Sequence, residues 1–64
     1  MKYYTLDEAS TMLRVPVNKL IFYINSRKLR ALQLGSNYRI RQDDLIKFLR
    51  ANYGNNGIDL EAKI

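Results

Sequence analysis

Residues 5–27 read TLDEASTMLRVPVNKLIFYINSR, and this stretch decides the fold. Thr5-Leu6-Asp7-Glu8 has the form of a capping box, in which the Thr5 hydroxyl accepts from the Glu8 amide and Glu8 reaches back to Thr5. Asp7 and Glu8 also oppose the positive end of the helix dipole. A first helix follows to about Leu13, with Leu6, Ala9, Met12 and Leu13 on one face. Arg14-Val15 is a tight break. Pro16 lacks an amide hydrogen and has its φ preset, which suits the first turn of a new helix. The spacing predicts a second helix over about Pro16–Arg27. Val17, Leu20, Ile21 and Ile24 fall on one side of it, and Asn18, Lys19, Phe22, Asn25 and Ser26 on the other. The outer side is polar except for one phenyl ring.

Downstream the period changes. Ala31-Leu32-Gln33-Leu34 and Tyr38-Arg39-Ile40 alternate as short strands do, and Gly35-Ser36-Asn37 between them supplies positive φ at Gly35 or Asn37. The expected hairpin carries Leu32, Leu34, Tyr38 and Ile40 on one face and Gln33, Arg39 and Arg41 on the other. A third helix starts near Gln42, with Asp43 and Asp44 in its first turn and Leu45, Phe48 and Leu49 on its inner face, bordered by Ile46. It ends by Tyr53-Gly54. After Asn55-Asn56-Gly57, residues 58–64 alternate apolar and charged, which is a strand pattern. That tail either folds back onto Tyr3-Tyr4, adds to a partner's sheet edge, or stays disordered.

Two short helices joined by a tight turn, a basic hairpin and a third helix define an α+β, mostly α domain. It is a winged helix-turn-helix with three helices and a two-stranded β-hairpin wing. The expected domain is 1–53, with 54–64 as a possible strand or partner-binding tail.

The 64 residues suffice for one domain. A hydrophobic content of 47% fits a globular chain. Cysteine and histidine are both absent, so disulfides and the usual zinc sites are excluded by inventory. The same inventory argues against an enzyme, because His and Cys supply most general bases and thiol nucleophiles. No cofactor is implied. The apolar runs are far shorter than the roughly 20 residues of a membrane span, and the start lacks a signal-peptide pattern. The expectation is a cytoplasmic protein without a membrane partner.

Placement of charge says more than the net +5. From Ala9 to Gln42 no acid occurs, while Arg14, Lys19, Arg27, Lys28, Arg30, Arg39 and Arg41 do. A one-signed block over the two-helix unit and the hairpin points to a polyanionic partner, with double-stranded DNA the best match. A helix fits the major groove, about 12 Å wide. Lys19, Arg27, Lys28 and Arg30 are candidate phosphate contacts. Asn18 and Asn25 are candidate base contacts, since Asn bonds adenine N6 and N7. Phe22 either touches thymine methyls or packs under the wing. Ser36 and Asn37 either bond in a minor groove or form the turn. Arg39 and Arg41 either reach DNA or pair with Asp43 or Asp44. Tyr3, Tyr4, Tyr38 and Tyr53 read as core-edge residues, because the chain has too little sheet for a single-strand stacking platform.

The chain resembles the excisionase-type DNA-binding domains of phages and mobile elements, a branch of the MerR-like winged helices. The resemblance runs from Tyr4-Thr5-Leu6-Asp7-Glu8-Ala9 through Val15, Leu20, Tyr23-Ile24 and Lys28-Leu29, to Leu34-Gly35, Arg39-Ile40-Arg41, Asp44-Leu45 and Phe48-Leu49. It implies a recognition helix in the major groove, a wing in the adjacent minor groove, and a role in DNA recombination toward excision or in transcriptional regulation. An excisionase would load cooperatively and bend DNA to assist an integrase or other recombinase. Self-association on DNA and a bacterial or phage-encoded, nucleoid-associated setting follow from the same resemblance. A small MerR-like regulator is the alternative, although such regulators usually add a dimerisation helix and an effector domain beyond this length. A protein-interaction module is a further alternative, favoured if Ile21 and Phe22 are exposed together. The chain departs from the family pattern at Pro16, where a small hydroxyl cap is common. Phe22 replaces a usual basic residue, Arg27 a frequent glycine and Arg30 a frequent proline.

Overall fold

The computed structural model describes residues 2–64; Met1, the first residue of the expected domain, lies outside them. The order is β1 (Tyr3–Thr5), α1 (Leu6–Leu13), α2 (Val17–Asn25), β2 (Leu32–Leu34), β3 (Asn37–Arg41) and α3 (Gln42–Glu61). Three helices and an antiparallel sheet form the winged helix-turn-helix that the sequence predicts. The sheet has three strands in the order β1-β3-β2, not two. Three residues are too few for β1 to show an alternation of its own. It forms because β3 offers a free edge, with Tyr3, Tyr4 and Thr5 opposite Arg41, Ile40 and Arg39.

Local rules account for the helical part. The capping box is present: the Thr5 amide donates to Glu8 Oε1 at 2.8 Å and the Glu8 amide to Thr5 Oγ1 at 3.0 Å. Arg14, at φ 56°, turns the chain out of α1. Pro16 is extended and caps α2 without a side-chain hydrogen bond, so α2 starts one residue later than the proline rule suggests. Its end also comes earlier, at Asn25. The Arg27 amide donates to the Ile24 carbonyl and the Lys28 amide to the Tyr23 carbonyl, with Arg27 at φ 64°. This is a Schellman closure, with arginine in the left-handed position that glycine usually fills.

The core comprises Tyr4, Ala9, Leu13, Leu20, Leu29, Ile40, Leu45, Phe48 and Leu49. On α2 only Leu20 is fully buried, with Tyr23 and Ile24 beside it against the core. The inner face is therefore rotated from the expected one: Val17 and Ile21 sit at its border and Tyr23 takes their place. Tyr23 meets Phe48 at a tilt, 5.0 Å between ring centres, and Phe48 meets Tyr53 edge-on at 5.9 Å. Burial and a hydrogen bond with Tyr23 raise the Tyr53 phenol above its ordinary value.

The hairpin corrects an expectation. Its loop is two residues, Gly35-Ser36, closed by Leu34 opposite Asn37, with Gly35 at φ 63°. The predicted loop had three residues. One residue of register flips the pairing. Cross-strand partners project to the same face, so Gln33 joins Tyr38 on the core side and Leu32 and Leu34 join Arg39 and Arg41 on the outer side. Leu32 and Leu34 are accordingly 49% and 55% exposed.

The tail is helical, not a strand. α3 breaks at Gly54, whose φ 55° and ψ −127° are open to glycine almost alone, and residues 55–61 resume the helix. The alternation in 58–64 hides a second pattern. Gly57, Leu60, Glu61 and Ile64 lie three and four apart on one helical face. Leu60 and Ile64 pack on the core, the Arg50 guanidinium donates twice to Glu61 (3.0 and 2.9 Å), and the Tyr4 hydroxyl donates to the Ile64 carbonyl at 3.2 Å. The expected fold-back toward Tyr3-Tyr4 occurs through this last bond. Gly57 is buried with no room for a Cβ, which would overlap the Leu49 carbonyl.

Gly57→Ala forces the tail off α3 and costs about 1–3 kcal/mol, at about 4–8 °C of Tm per kcal/mol for a domain this small; an unchanged melt means the tail does not sit there. The Thr5 backbone amide donates to the charged Glu8 carboxylate and holds its pKa below the ordinary value. The stability Glu8 contributes is therefore complete above the unfolded-state carboxylate pKa and lost as pH falls through the lower folded one. Glu8→Ala should flatten that acid-side loss in denaturant melts taken across pH.

Candidate nucleic-acid interface

The shortness of α2 and its single fully buried residue leave most of it at the surface. Asn18, Lys19, Phe22 and Asn25 are all exposed. The Phe22 ring, 61% exposed, touches the edge of Tyr23 at 5.9 Å and is not covered by the hairpin, which removes the packing alternative. Ile21 is half-buried, so Phe22 does not belong to a contiguous apolar patch on this helix. Lys19 Nζ lies 5.9 Å from the Tyr23 ring centre. No acid occupies the first turn of α2, so the partial positive charge of its N-terminus is left without a side-chain counterpart.

The hairpin comes back beside this helix. A groove of about 320 Å³ is bounded by the first turn of α1 (Thr5, Leu6 and Asp7), by Val17 at the head of α2, and by residues 36–39. Ser36 and Asn37 are exposed there, and Arg39 is half-buried. Asn37 is the first residue of β3 and Ser36 belongs to the turn. Val17 and Asp7 were missed in the sequence, because their neighbourhood with the wing is tertiary and leaves no local signal. Arg39 acts electrostatically on Glu8, and its Nη1 donates to the Tyr38 carbonyl at 3.0 Å.

The other basic candidates divide. Arg27 and Lys28 are exposed where α2 closes. Arg30 and Arg41 instead share a separate concavity with Asp43, Asp44, Lys47 and Arg50 at the start of α3. Arg41 Nη2 stands 3.5 Å from Asp43 Oδ2. Of the two alternatives for Arg41, ion pairing is the one the structure displays. The outer sheet face adds Leu32 and Leu34, exposed apolar side chains that the predicted register had turned inward, and Tyr3, which is more exposed than its expected place at the core edge.

Among the described residues no group of His, Cys, Asp or Glu has the arrangement of a metal site, and no helix is long and apolar enough to cross a membrane. Comparisons with characterised proteins and with solved structures found no match. Comparison with protein families matches residues 3–53, most of the chain, to the helix-turn-helix domain. The matched span opens on β1, takes in both helices of the turn and the hairpin, and stops at the residue before the Gly54 break. The chain therefore belongs to the helix-turn-helix domain family.

Proposed function

We propose that the chain binds double-stranded DNA, with α2 in the major groove and the tip of the hairpin against the neighbouring groove. One observation carries this reading: Val17 at the head of α2 and residues 36–39 line a common groove, the rest of the outer face of α2 is exposed, and both elements lie inside the longest stretch of sequence free of acids. Each group then has a role. Lys19, Arg27, Lys28 and Arg39 neutralise phosphates, and Ser36 and Asn37 bond at the wing tip. Arg30 and Arg41, beside Asp43 and Asp44, contribute less.

The resemblance to excisionase-type domains extends the reading to an accessory factor in site-specific recombination. A single small module buries only roughly 600–1,000 Å² on DNA, which favours loading of several copies on adjacent sites. Phosphate neutralisation on one side of the duplex favours bending, which would reshape the site on which an integrase acts.

Mobility-shift titrations at several salt concentrations test the central reading. Four neutralised phosphates give a log–log slope of about −4. Arg39→Ala should make the slope shallower by about 1, whereas Arg41→Ala should change it far less. A slope near zero contradicts DNA binding. Equal effects of the two variants contradict the division between the groove and the acidic corner. Circularly permuted fragments carrying one bound site read the bending directly, and mobility independent of site position contradicts it.

A further inference from the structure

We infer that α2 selects A·T base pairs, reading adenine with Asn18 or Asn25 and thymine methyl groups with Phe22; this rests on the DNA-binding reading above. At about 100° per residue, Asn18 and Asn25 lie about 20° apart around α2 and Phe22 within about 60° of both. The three form one stripe about 10 Å long, the length of about three base-pair steps at 3.4 Å each. All three are exposed, and at 61% Phe22 is the most exposed large apolar residue among those described.

The chemistry of the stripe is selective. In the major groove an A·T pair presents the adenine N7 acceptor, the N6 donor and the thymine methyl, while guanine presents two acceptors. An Asn amide carries one donor and one acceptor on the same planar group and matches adenine in a bidentate pair. Guanine calls for a cation with two donors, usually Arg or Lys. No cation lies on the stripe: Lys19 is turned toward the Tyr23 ring, and Arg27 and Lys28 follow the end of the helix. A phenyl ring between two amides has no polar partner to offer any base. It does gain from covering a methyl group, which only thymine among the four bases carries.

The experiment selects duplexes from a random library with the full chain, then rebuilds the enriched site with uracil in place of each thymine. Uracil keeps every hydrogen bond and removes only the methyl. The enriched site should hold A·T steps, and uracil at one or two positions should weaken binding about fourfold each. Phe22→Ala should bind thymine and uracil duplexes equally while its melting temperature stays that of the parent chain, because the ring is exposed. Enrichment of G·C steps, or indifference of the parent chain to uracil, overturns the inference. So does salt-dependent binding that enriches no sequence, and in that case DNA binding stands while base selection falls. Absence of any binding at low salt takes both.

Discussion

The two-residue loop at Gly35-Ser36 sets the register of the sheet, and the candidate interface follows from that register. With Gly35 in the left-handed region the strands close at Leu34 and Asn37, so Leu32 and Leu34 share the outer face with Arg39 and Arg41 while Tyr38 and Ile40 point inward. Ile40 is fully buried opposite Tyr4, which anchors β1, and Thr5 at the end of β1 caps α1. A chain of short local contacts thus runs from the wing to the first helix of the helix-turn-helix unit. A slip of one residue between β2 and β3 would leave Ile40 inward, held opposite Tyr4, and would turn Leu32 and Leu34 from the outer face to the core side in place of Gln33.

The second constraint is economy of burial. α2 is held by Leu20, by the half-buried Tyr23 and Ile24, and by Leu29 just past its end. Nothing else on it is required by the core, so its outer face is free to carry amides, a cation and an exposed ring. The Tyr23–Phe48–Tyr53 cluster ties that helix to α3, and the tail beyond Gly54 packs Leu60 and Ile64 against the core. The tail and α2 therefore share one core: one completes it, the other displays side chains from it.

The helices were legible because their signals are local. The capping box, the proline before α2, the acid pair opening α3 and the glycine ending its first part all lie within a few residues of the boundaries they set. The inner faces of α1 and α3 followed from 3.6-residue spacing. Three things were not legible. β1 is shorter than one period of its own pattern. The hairpin register hung on whether Asn37 belonged to the loop or to the strand, and both assignments satisfy the turn chemistry. The tail fits period 2 and period 3.6 alike over seven residues, and only tertiary contacts decide between them: Gly57 against the Leu49 carbonyl, Glu61 with Arg50, and Leu60 and Ile64 on the core. At the interface, exposure of Asn18, Lys19, Phe22 and Asn25 was readable from the helical wheel. The separation of Arg39 from Arg41 was not, because two arginines on one strand face look alike until the acids of α3 are placed beside one of them.

In the proposed complex the outer face of α2 and the tip of the hairpin engage one duplex together. Amide and side-chain NMR shifts, followed while a duplex is titrated into labelled protein, measure this most directly. The account predicts that shifts concentrate at Asn18, Lys19, Phe22, Asn25 and residues 36–39, with Arg27 and Lys28 following, while Asp43, Asp44 and the tail stay still. Shifts centred on α3 or the tail, with α2 undisturbed, would contradict it.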